Sequence, residues 1–71
     1  MKRFVVYMWF DDGDEGYVIA DRNLVNALVP SDGIRSASYW RNKEAADNFV
    51  TSLQGYSKQH YVRHAIHSYV A

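Results

Sequence analysis

Seventy-one residues, 48% hydrophobic and 15% aromatic, make one small domain over 1–71 that is too apolar to be disordered. Eight Lys and Arg balance eight Asp and Glu, which excludes any global attraction to phosphate backbones and any acidic imitation of nucleic acid. Without cysteine there is neither a disulfide framework nor a thiolate zinc site, and a soluble, cytoplasmic protein with no membrane association is expected, since no apolar run reaches the ~18 residues of a membrane helix.

Arg3 to Phe10, rich in Val, Tyr, Trp and Phe, reads as a strand. "DDGDEG" turns the chain, and Tyr17 to Ala20 returns as a second strand to make a hairpin. Asp21 can then cap a short helix from Arg22 to Val29, because Leu24, Val25, Leu28 and Val29 recur in doublets four apart until Pro30 stops them. "SDG" makes a turn, and Ile34 to Trp40 reads as a third strand. Asn42 caps a second helix whose stripe is Ala45, Ala46, Phe49, Val50 and Leu53, with Glu44 favoured in its first turn and Gly55 placed for a left-handed stop.

The last segment, "KQHYVRHAIHSYVA", divides cleanly as a helix. Tyr61, Val62, Ala65, Ile66, Tyr69 and Val70 take one half of the wheel, and His60, Arg63, His64, His67 and Ser68 take the other. Its β-branched residues and tyrosines favour a strand, but periodicity outweighs propensity, so a helix is expected with a strand as the alternative. The fold class is therefore α+β. A small three-stranded antiparallel sheet, the N-terminal hairpin plus a third strand, is packed by two or three helices in the order β-β-α-β-α-α.

In that helix His60 and His64 would have zinc-ligand spacing. Zinc normally needs three or four protein ligands, and Arg63 repels a cation, so no metal or other cofactor is expected. "DDGDEG" fails as a calcium loop because the twelfth position falls on Arg22 or Asn23 instead of a glutamate. No serine elbow, glycine-rich phosphate loop or buried carboxylate pair is present, so catalysis is not expected.

The first strand carries Phe4, Val6, Met8 and Phe10 on one face and Arg3, Val5, Tyr7 and Trp9 on the other, as a central strand covered on both sides would. The third offers Arg35, Ala37, Tyr39 and Arg41 on one face. Tyr7, Trp9, Arg35, Tyr39 and Arg41 are the candidate binding residues, since aromatics and arginine mark interface cores. One reading is a non-catalytic regulatory protein that binds a partner protein, as an inhibitor or adaptor of the type phages and mobile elements encode, or a homodimer through the face with Val5, Tyr7 and Trp9. The alternative is nucleic-acid binding, with the same residues as a stacking platform. In element order alone, Arg3 to Leu53, with a helix opening "WRNKEAADNF", resembles the small DNA-binding arm domains of tyrosine recombinases. Those domains are strongly basic, whereas this chain is neutral.

Overall fold

The computed structural model describes all of residues 1–71. β1 (Lys2–Phe10) is followed by β2 (Glu15–Asp21), β3 (Leu24–Val29), a 3-10 segment (Ser31–Ser36), α1 (Lys43–Thr51), α2 (Gly55–His60) and β4 (Tyr61–Val70). One antiparallel sheet has the order β3-β2-β1-β4. The α+β class holds, with four strands in place of three. No helix is long and apolar enough to cross a membrane.

β1 is central, as its two apolar faces require. It pairs with β2 from Tyr7 to Trp9 and with β4 along its whole length, with a bulge between Trp9 and Phe10. The hairpin turn forms at Asp11–Asp14. Gly13 takes φ +92°, and Asp14 N–H donates to Asp12 Oδ1 at 3.0 Å.

Three expected elements are corrected. The first is Arg22 to Val29, which is not a helix: Arg22 and Asn23 form a tight turn, with Arg22 at φ +57°, and Leu24–Val29 runs back along β2. A helix that short leaves about four N–H and four C=O groups open at its ends, whereas the free edge of β2 offers a partner to every other residue.

The second is Ile34 to Trp40, which begins as the 3-10 segment rather than as a strand. Only its end is extended, and it enters the gap where β2 diverges from β1. Ser38 N–H donates to Val18 C=O at 3.0 Å, and Trp40 exchanges two bonds with Phe4 at 2.8 and 3.0 Å.

The third is the C-terminal segment, which is β4 rather than a helix. Val5, Val6 and Met8 are fully buried, so the backbone of β1 must find partners inside the protein. β2 reaches only part of it, and a helix at 61–70 would leave the other side of β1 unpaired.

α1 forms as expected, with Asn42 Oδ1 accepting from Ala45 N–H at 2.8 Å. Its Ala46, Phe49 and Val50, with Leu53 just beyond it, pack on Val6, Met8, Phe10 and Val18 to make the main core. On the opposite face Val5, Tyr17 and Ala37 make a smaller cluster, flanked by Tyr7, Val29, Ile34 and Tyr69. The cover on this second face is therefore the 3-10 segment, not a helix at 22–29.

Candidate binding face

Strand alternation lines up β1 residues Arg3, Val5, Tyr7 and Trp9 with β4 residues Tyr69, His67, Ala65 and Arg63, each opposite the other in register. Tyr17 of β2 lies beside Tyr7 on the far side, and Glu15 beside Trp9. Four of the five residues singled out in the sequence meet here: Tyr7 and Trp9 in the sheet, Arg35 and Tyr39 over its open end. Arg41 does not join them. It is exposed in the turn before α1.

Three arginines lie on aromatic rings across this face. Arg63 sits 3.9 Å above Trp9, Arg3 4.2 Å from Tyr39 and Arg35 4.9 Å from Tyr69. Such contacts contribute about 0.5–1 kcal/mol when exposed, enough to bias each guanidinium toward its ring. The only ion pairs in the molecule join histidines to aspartates, so none of the three has a carboxylate within 4.0 Å. At the end nearest Tyr69, Arg3 Nε and the Tyr69 hydroxyl are buried without a hydrogen-bond partner.

The middle of the face is more polar than its composition suggests. Tyr7 donates to Glu15 Oε2 at 2.8 Å, and that bond raises the Tyr7 pKa above its ordinary value, with burial adding to the rise. The Tyr17 hydroxyl lies 2.8 Å from His67 Nδ1. Tyr7 packs against both Trp9 and Tyr17 with ring centroids 4.8 Å apart, which makes a continuous aromatic row. Val5, fully buried beneath it, is not available to a partner.

Arg3, Tyr17, Arg63, His67 and Tyr69 were missed as site residues. Read as a helix, 61–70 separates Tyr69 from Arg63 and His67; read as a strand, its odd-numbered residues fall on one face. The three histidines also disperse. His67 faces Tyr17; His64 lies on the other side of the sheet with its Nε2 3.2 Å from Asp47; His60 ends α2 with Nδ1 2.8 Å from Asp11. The one-face stacking of His60 and His64 weighed in the sequence does not form, and no three His, Cys, Asp or Glu side chains are grouped so that they could hold a metal ion.

A cleft of about 610 Å³ opens between β3, α2 and the hairpin tip, lined by buried Phe10, half-buried Leu28 and exposed Asp14 and Glu15 among others. Ser57 lines it, but its Oγ accepts from Val25 N–H at 3.2 Å. Tyr56, which also lines it, donates to Asp12 Oδ2; that bond pushes the Tyr56 pKa up to about 12 and lowers the Asp12 pKa. Comparison with known proteins finds no matching family model, no matching curated protein and no matching solved structure.

Proposed function

We propose that this chain is a non-catalytic binding module that docks its arginine-aromatic sheet face onto a protein surface bearing carboxylates, and so acts as an inhibitor or adaptor. The observation that carries this is the set Arg3, Arg35 and Arg63, each 3.9–4.9 Å from the centroid of an aromatic ring and none paired with an acid. A guanidinium oriented in advance loses little entropy on taking up a carboxylate and offers it two parallel bonds. The same stacking disfavours the nucleic-acid alternative, because one face each of Trp9, Tyr39 and Tyr69 is already covered by an arginine where a base would stack.

The test is affinity capture by the wild type and by the double variant Arg35→Glu/Arg63→Glu, each with and without nuclease. Both side chains are exposed, so the fold should survive the change. The expected result is a protein retained by the wild type, lost on charge reversal and insensitive to nuclease. Capture that vanishes with nuclease, or that the double variant keeps, would overturn the proposal.

A further inference from the structure

β4 is one edge of the sheet, and no hydrogen bond closes its outer side. The ladder tells which of its backbone groups are free. Ala71 N–H donates to Met1 C=O at 2.8 Å, and alternation along an antiparallel pair then turns His64, Ile66, Ser68 and Val70 outward. β1 agrees: Phe4, opposite Ser68, directs its own N–H and C=O away from β4 to Trp40. The edge, YVRHAIHSYV, contains none of the proline, lysine, aspartate or glutamate that usually blunts such a strand. The opposite edge is guarded. Val25 N–H is held by Ser57, Asn23 C=O accepts from Gln54, and Pro30 follows β3.

We propose that β4 pairs antiparallel with β4 of a second copy of this chain, with Ile66 on the two-fold axis, joining the two sheets into one. The side-chain pattern selects both this occupant and this register. Val62 and Val70, 56% and 70% exposed, are the large hydrophobics left bare on β4, and they stand equally far from Ile66. With Ile66 opposite itself, each Val62 meets the Val70 of the other copy, His64 meets Ser68 and Ala65 meets His67. Arg63, the only Lys or Arg on the strand, meets Tyr69. No like charges oppose one another, and apolar cross-strand pairs of this kind are favourable. A shift of two residues one way sets His67 against its own mate and Val70 against His64; the other way, it sets Arg63 against His67. About six main-chain hydrogen bonds form between His64, Ile66 and Ser68 and their counterparts. Arg63, His67 and Tyr69 of the aromatic face flank the seam, but the Val62 and Val70 substitutions that test the pairing lie on the opposite face of β4 with His64, so its failure is distinguishable from that of the function proposed above.

Sedimentation equilibrium of the full chain tests it, with circular dichroism to verify the fold of each variant. The wild type is expected to dimerise at micromolar concentration. Val62→Lys/Val70→Lys places lysine opposite lysine twice and should weaken the dimer at least about tenfold, whereas Val62→Lys/Val70→Glu places lysine opposite glutamate and should restore most of it. Ser68→Pro, which removes only an outward donor, should abolish pairing while the monomer stays folded. A wild type that stays monomeric at high micromolar concentration would leave the edge to solvent or to a foreign strand and overturn the inference. So would a double-lysine variant that dimerises as tightly as the wild type, or growth into open filaments in place of a closed dimer.

Discussion

Gly16 lies in β2 directly against β3, and Gly16→Ala measures how closely the two strands approach there. A Cβ at this position would sit 2.6 Å from the Val29 carbonyl oxygen and 3.1 Å from Leu28 Cβ. Both neighbours belong to β3, and one is backbone, so the strand itself must move. Overpacking of this kind costs about 1–3 kcal/mol. Alanine recovers about 0.4–1 kcal/mol by narrowing the unfolded ensemble, which leaves a net loss centred on ~1.3 kcal/mol. A 71-residue domain at about 0.05–0.15 kcal/mol per residue has only some 4–11 kcal/mol in total. The loss should therefore be plain in urea unfolding followed by far-ultraviolet circular dichroism, where a slope of about 1 kcal/mol per molar moves the midpoint down by about 1 M. Were 24–29 a helix, Gly16 would have no such neighbour and alanine would be neutral or stabilising. A Gly16→Ala midpoint at or above that of the wild type would thus refute the placement of β3.

At the other end of the same hairpin, Arg22 sits at φ +57° and is exposed, so Arg22→Gly should relieve more strain than the flexibility it adds and raise stability by up to ~1 kcal/mol, or a few degrees in a thermal melt. A lower melting temperature would show that Arg22 is not in that turn. The Tyr56–Asp12 bond fixes a pH window with a definite sign at each end. The Tyr56 pKa is raised, so its contribution is whole below the unfolded value of 10.0 and is lost as pH climbs toward about 12. The Asp12 pKa is lowered, so its contribution is whole above 3.8 and is lost as pH falls through the depressed value. Ultraviolet titration of the wild type minus Tyr56→Phe should accordingly show one phenol ionising near pH 12, and an inflection near 10 would mean that α2 is not tied to the hairpin tip.

Where local chemistry was decisive, the sequence was sufficient. Val, Tyr, Trp and Phe alternate in β1 on two apolar faces, which specifies a central strand; "DDGDEG" specifies its turn; Asn42 and the stripe from Ala45 to Leu53 specify α1 and the face it buries. Tyr7 and Trp9 stood out for the same reason, since aromatics on the second face of a central strand must meet something. Tertiary structure decided the segments whose patterns fit two periods. Leu24 to Val29 and Tyr61 to Val70 both divide well on a helical wheel, yet each lies beside a strand with unpaired backbone, and the cost of leaving those groups unsatisfied exceeds the few tenths of a kcal/mol that separate local preferences. That choice also decided the candidate face. Arg63, His67 and Tyr69 come together with Arg3, Tyr17 and Trp9 only because β4 docks along β1, a pairing across some sixty residues of chain that no local window contains.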